Sequence, residues 1–309
     1  MREGLSLAFV WISLVASCAS DRGKESPPSR TETKPTPQAD AAAPDGGNDV
    51  VIQTDSFSVA PGGESYKCQN FANPFGGETV DVDRFEAHMP VGSHHMIVFF
   101  VDDITDGPLE DCSGSEFHPN VFGAQQAPDS VMAMPAGVGV AMPKTSGLRL
   151  QLHVINETDQ DLTAGVTTRF HVAAPGSIVN HAGQLLFSNE DIDVPPGVPT
   201  KVTKTCMVPK DISLIGASAH VHRHAVDFLA TAGDRTLYET TGWTDLTPAR
   251  FDPPLALAAG SPVTFTCSYV NDTTTTLTFG ESALTDEMCI LGGIYYPVDD
   301  TNSPNILCL

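Results

Sequence analysis

Basic residues are scarce in this sequence. Lys and Arg number 16 against 38 Asp and Glu, a formal net charge of −22. A surface of that sign repels phosphate backbones and weighs against nucleic acid as a partner. No apolar run is long enough for a transmembrane helix. No stretch of length carries helical periodicity. No two cysteines have C-x-x-C spacing, which removes a zinc knuckle and a thioredoxin-like redox site. Neither a Ser-His-Asp arrangement nor a paired-carboxylate motif stands out, so general acid–base hydrolysis has no obvious carriers.

The chain has 309 residues, and at ~150 residues per domain that suggests two domains with a core each. Residues 5–15 form an apolar run behind Arg2, too short to cross a bilayer and ending in Val15-Ala16-Ser17-Cys18. The tetrapeptide resembles a bacterial lipobox, with Cys18 the lipidated first residue of the mature chain. Ordinary cleavage near Ala16 or Ala19 is the alternative. Ala19 rather than Asp after the cysteine suggests the outer membrane of a Gram-negative cell. Residues 21–48 are rich in Pro, Ser, Thr, Ala, Asp and Gly and cannot bury enough surface to fold. The expected plan is a signal peptide over 1–18, a disordered tether over 19–49, and two sandwiches over 50–175 and 176–309. The six cysteines after Cys18 suggest disulfides in an exported chain, without saying which pairs with which.

From residue 50 onward the pattern is β. Short runs of β-branched and apolar residues fall at 57–59, 79–82, 96–101, 149–155 and 166–172, punctuated by Gly, Pro, Asn and Asp. After Ala173-Ala174-Pro175-Gly176 the pattern repeats, with runs at 184–187, 200–207, 219–229, 263–269, 274–279 and 289–296. Pro195-Pro196-Gly197 and Pro253-Pro254 read as tight corners. The fold class expected is all-β, two consecutive antiparallel sandwiches of jelly-roll type.

Histidines mark the strands. Ser218-Ala219-His220-Val221-His222-Arg223-His224 reads as a strand, whose alternation projects His220, His222 and His224 together. Imidazoles at i and i+2 suit a metal; a solvent-facing polar stripe would look the same. Gly92-Ser93-His94-His95-Met96 opens an apolar strand, and adjacent residues share a target only at a strand end or bulge, which Gly92 permits. His153 lies in another apolar strand, where a satisfied core histidine is the plainer reading. Met288, between an acidic turn and a strand, is core filler or a soft thioether ligand that stabilises Cu(I). Gln151, two residues before His153, is either structural or positioned to orient that histidine. His224 reads as a supporting or surface residue, and His88, His118, His171 and His181 as surface.

These segments resemble the copper type II, ascorbate-dependent monooxygenases, the family of peptidylglycine α-hydroxylating monooxygenase and dopamine β-monooxygenase. His94-His95-Met96, Leu150-Gln151-Leu152-His153, His220-Val221-His222 and Asp286-Glu287-Met288-Cys289 occur in that family's order, from about residue 50 to the C-terminus. The resemblance implies an electron-transfer copper on His94, His95 and His153, and a separate oxygen-binding, hydroxylating copper on His220, His222 and Met288. It implies disulfides Cys68–Cys112, Cys206–Cys308 and Cys267–Cys289. The implied reaction hydroxylates an activated C–H bond of a small organic substrate with O2 and ascorbate or a similar one-electron donor. The implied partners are that substrate and O2, for a monomer that meets the membrane only through its lipid. The carboxylate anchor of peptidylglycine enzymes is missing: Ser218, Ile290 and Gly292 stand where Arg, Asn and Tyr would be, so a C-terminal glycine peptide does not fit. The rival from another class is a non-catalytic copper-binding lipoprotein serving as chaperone, store or sensor.

Overall fold

The computed structural model describes residues 48–115, 120–244, 246–301 and 303–309. The signal segment, Cys18, most of the tether and His118 lie outside them. Every regular element among the described residues is a β-strand, as the period-2 patterning requires. In chain order the first are β1 (Asn48–Gln53), β2 (Phe57–Val59), β3 (Glu64–Phe71), β4 (Val80–His88), β5 (Ser93–Asp102) and β6 (Glu110–Asp111). Next come β7 (Val121–Gln125), β8 (Asp129–Ala133), β9 (Val138–Met142), β10 (Ser146–Ile155), β11 (Leu162–Ala164) and β12 (Thr167–Val172). After them run β13 (Asn180–His181), β14 (Gly183–Ser188), β15 (Asp193–Val194), β16 (Thr200–Met207), β17 (Ile212–Val221) and β18 (Ala225–Ala232). The last are β19 (Arg235–Thr241), β20 (Ala249–Leu257), β21 (Pro262–Tyr269), β22 (Leu277–Thr278), β23 (Cys289–Tyr296) and β24 (Ile306–Cys308).

Strands up to His181 pair only among themselves, in sheets β1-β12-β4-β9-β13, with β8 added on β4, and β6-β3-β10-β5-β7. Strands from Gly183 onward form β20-β17-β23-β14-β24 and β16-β21-β18-β19. The second set repeats the first. β16-β21-β18-β19 follows the order of β3-β10-β5-β7, β14-β23-β17-β20 that of β1-β12-β4-β9, and the short pair β15-β22 that of β2-β11. The described residues form one compact unit.

The repeat extends to single side chains. Asn156, after β10, donates to the carbonyls of Val59 and Gln160 and accepts from the Thr158 amide and hydroxyl. Asn271, after β21, donates to Val194 and Thr275 and accepts from the Thr273 amide and hydroxyl. Both asparagines are fully buried, and a buried amide with every polar atom paired fixes a tight connection in one geometry.

Strand alternation decides which face meets the neighbouring set. On β17, Ala217, Ala219 and Val221 enter the second core, while Ser218 and His220 are only partly buried on the other face. On β23, Cys289, Leu291 and Tyr295 enter that core, and Ile290, Gly292, Ile294 and Tyr296 face away. Ile294 and Tyr296, with Ile215, pack instead against the first core. The face that carries His220 is thus the one turned toward the first set of sheets.

Two expectations change. The run 219–229 is two strands, because the chain reverses at residues 222–225, where the Ala225 amide bonds to the His222 carbonyl. Pro253-Pro254 lies inside β20 and is not a corner. β20 is an edge strand, and its register to β17 jumps from Arg250–Gly216 to Leu255–Leu214, so neither proline owes the ladder a donor. His88, exposed as expected, ends strand β4 and pairs with Asp129 on β8.

Candidate metal centre

His94 and His95 enter the site through a backbone irregularity. β5 pairs with β10 so that His153 faces His95 and Val154 faces Ser93, which leaves His94 as the extra residue of a bulge. Gly92, at φ 99°, occupies a conformation that a side chain would resist. The bulge turns two adjacent imidazoles toward one place, as the His-His sequence requires. His153 comes from β10, whose Leu148, Leu150 and Leu152 point into the first core while Arg149, Gln151 and His153 take the opposite face. Its ring stacks on Tyr66 at 3.8 Å between centroids, because Tyr66 is its partner across the β3–β10 ladder.

His220 ends the half-buried face of β17, and His222 follows just past the strand end. Their ring centroids are 5.2 Å apart. Both lie against the first set: His94 is 5.0 Å from His220 and 5.3 Å from His222, and His95 is 4.8 Å from His220. The two groups expected to hold separate ions therefore meet in one cluster of five imidazoles. Within it two trios have candidate ligand atoms all within 4.8 Å of one another: His94, His95 and His153, and His94, His220 and His222. His94 belongs to both. The residues that brought the sets together, Ile215, Ile294 and Tyr296, carry no sequence mark of that role.

Hydrogen bonds sort the ring nitrogens. His153 Nε2 lies 2.7 Å from Glu64 Oε1. Burial alone would raise the Glu64 pKa, but hydrogen bonds from His153, Ser282 and Ala283 outweigh it and hold the carboxyl below its ordinary range. An ionised carboxylate only accepts, so Nε2 carries the proton and Nδ1 presents a lone pair. His222 Nδ1 lies 3.3 Å from the Asp286 carbonyl, which again only accepts and leaves Nε2 with the lone pair. Gln126 Nε2 donates to the Val221 and Trp243 carbonyls and sits 3.2 Å from His94 Nδ1. The nitrogens left over have no protein partner: Nε2 of His94, both nitrogens of His95, Nδ1 of His153 and Nε2 of His222. Each orphaned buried polar atom costs about 1–3 kcal/mol. A bound cation would satisfy one lone pair on each ring that it reaches.

Electrostatics suit that role. Burial, reinforced by the neighbouring rings, holds His94, His95 and His222 well below the usual histidine range. Burial pushes His220 down to about 3. Burial also lowers His153, against the opposing pull of Glu64. Neutral imidazole is the ligating form, so the fold keeps the cluster ready for a metal across neutral pH.

Met288 directly precedes β23 and is partly buried, with its carbonyl accepting the Tyr269 hydroxyl at 2.8 Å. The β17–β23 register ends at Val221–Cys289, so Met288 stands beside the strand end from which His222 emerges. The disulfides are Cys68–Cys112, Cys206–Cys308 and Cys267–Cys289, the last anchoring that segment to β21. His224 does not project with its neighbours. The reversal after His222 turns it onto Glu287 Oε1, 3.0 Å from its Nδ1, and toward Asp272. Burial pushes the Glu287 carboxyl up to about 8, against the pull of the His224 amide. Gln151 is buried and donates to the Ser113 carbonyl. His171 and His181 bond to Asp83 and Asp81, away from the cluster.

No known protein family matches this chain, and no curated protein does. Solved structures align with it at low similarity. They include the major capsid protein P2 of bacteriophage PM2, at TM-score 0.31 and 8% identity over 80% of this chain and 97% of that one. The STIV MCP aligns at 0.34 and 8% over 81% and 97%, and PNGF-II at 0.28 and 8% over 80% and 59%. Likeness at this level says nothing about chemistry.

Proposed function

We propose that this chain is a copper-dependent monooxygenase, hydroxylating a C–H bond of a small organic substrate with O2 and an ascorbate-like one-electron donor. The observation that supports it most is the set of unpartnered, neutral imidazole nitrogens converging from two sets of sheets. His94, His95 and His153 would hold one ion, and His220, His222 and Met288 the other. A thioether beside two imidazoles favours Cu(I) over zinc or iron. Bound copper supplies one-electron redox chemistry with O2, so that two electrons and two protons place one oxygen atom in the C–H bond and release the other as water.

The chain's own residues prepare this. Glu64 keeps the proton on His153 Nε2, and the Asp286 carbonyl keeps one on His222 Nδ1, so both rings offer the opposite nitrogen. Gln126 ties the His94 bulge to the β17 end. Beside His220, the face formed by Ser218, Ile290 and Gly292 bears no charge. A substrate lying there would be neutral and apolar at the reacting end, in keeping with the missing carboxylate anchor.

The second reading, a copper-holding protein without turnover, draws on one observation. His94, His95, His153 and His222 are each no more than 6% exposed, which suits retention of an ion better than access by a substrate. Copper stoichiometry and ascorbate-driven oxygen uptake separate the two. The enzyme reading expects two coppers per chain and oxygen uptake that Met288→Ile abolishes while copper at the three-histidine set persists. Copper bound with no ascorbate-driven uptake in the unaltered chain would leave the holding protein.

A further inference from the structure

The pairing of His94 with both trios carries a consequence for the order of metal binding. We infer that His94, His220 and His222 form a metal site of their own, across the seam between the two sets of sheets, and that this site takes the first borderline divalent cation to arrive. The inference rests on the metal-binding reading of the imidazoles and not on any oxygenase activity.

The three rings come from different sheets, His94 from the β5 bulge and the others from the end of β17. Their candidate ligand atoms lie within 4.8 Å of one another. A tetrahedral ion with bonds of about 2.0–2.1 Å holds its ligand atoms about 3.4 Å apart, so small side-chain rotations close the set. Nε2 of His94 and Nε2 of His222 are buried and have no partner. Gln126 holds the arrangement from outside: one amide nitrogen contacts His94 and the carbonyl of Val221, which lies between His220 and His222 in sequence. Three neutral imidazoles with no thiolate or carboxylate suit Zn(II) and Cu(II).

A neutral imidazole has one lone pair, so His94 serves one ion at a time. An ion at the seam therefore excludes a full three-histidine set on His94, His95 and His153. Loading a second ion requires His94 to change partners, after which His220 and His222 need a third ligand. Met288, next to the β17 end, is a donor whose place in the chain suits that position.

The test uses Zn(II), which is redox-silent, and the metal-free full chain with 15N-labelled histidine. One equivalent is expected to shift the ring nitrogens of His94, His220 and His222 and leave those of His153 in place. By calorimetry, His153→Ala and Met288→Ile are expected to leave the first dissociation constant within about threefold, and His94→Ala to raise it about tenfold or more. Shifts at His95 and His153 with His220 unmoved would overturn the seam site in favour of the three-histidine set. A first dissociation constant raised by Met288→Ile and untouched by His94→Ala would overturn it in favour of the thioether set. Either result leaves the copper-enzyme reading standing. No ring shift at any histidine would remove both. The labelled native chain needs no variant, so the conclusion does not depend on every substitution folding.

Discussion

Glu64 shows how one side chain serves two sets of strands. Its Oε1 receives His153 Nε2 and the Ala283 amide at 2.7 Å each, and its Oε2 receives the Ser282 hydroxyl. Glu64→Ala strands all three donors. We expect a loss of roughly 2–4 kcal/mol in urea unfolding and about 10–100-fold weaker metal binding at His153. Glu281 is the control. Its carboxylate receives the Ser113 hydroxyl and Gly114 amide and makes no hydrogen bond to an imidazole, though its charge acts on His153, so Glu281→Ala should lower stability and weaken that binding much less than Glu64→Ala. Equal metal affinity in both variants would show that Glu64 does not orient the ring. The histidines themselves were legible in the sequence, because imidazole pairs and a bulge-permitting glycine are local. Glu64 and Gln126 were not, since their partners lie 89, 95 and 219 residues away.

At the scale of elements, the two asparagine connections make the same bonds in both sets of strands. Each buries an amide that holds a neighbouring strand end and closes its own turn. Asn156→Ala and Asn271→Ala should therefore cost similar amounts, about 2–4 kcal/mol apiece in chemical unfolding. Costs differing several-fold would mean the two connections are alike in outline only. The strands 200–207 and 289–296 were read from the sequence to the residue, because runs of strand-forming residues stop there, near Pro199, Pro209 and Pro297. β7, β8 and β9 were missed: they run through a stretch dense in Gly, Pro and Ala, where sheet pairing and not local propensity makes the strand.

For the whole molecule, the buried imidazoles set the dependence of stability on pH. Their folded pKa values lie below the ordinary value of 6.5, with His220 at about 3. The unfolded chain binds more protons below pH 6.5, so stability is full above that value and falls as the solution is acidified. Each fully shifted group adds a slope of about 1.4 kcal/mol per pH unit. Glu287 acts the other way: its carboxyl, raised from 4.5 to about 8, costs stability as pH climbs through that interval. With five imidazoles against one carboxyl, the metal-free protein should unfold at lower urea concentration at pH 5 than at pH 7. A midpoint that stays level or rises on acidification would contradict a neutral, buried cluster.

The amino-acid sequence alone determined an all-β chain, the full extent of a few strands such as 200–207 and 289–296, the candidate metal-binding histidines and methionine, and the need for a strand end or bulge if His94 and His95 are to point together. Those features follow from two-residue alternation, turn chemistry and side-chain type, all of which act over a few positions. Tertiary structure alone decided that the imidazoles of β5, β10 and β17 share one buried place, that His94 sits in both trios, and that His224 turns away to Glu287. It did so because the outer faces of β17 and β23 bury Ile215, Ile294 and Tyr296 against the first core. Burial of apolar surface between sheets has no short-range signature.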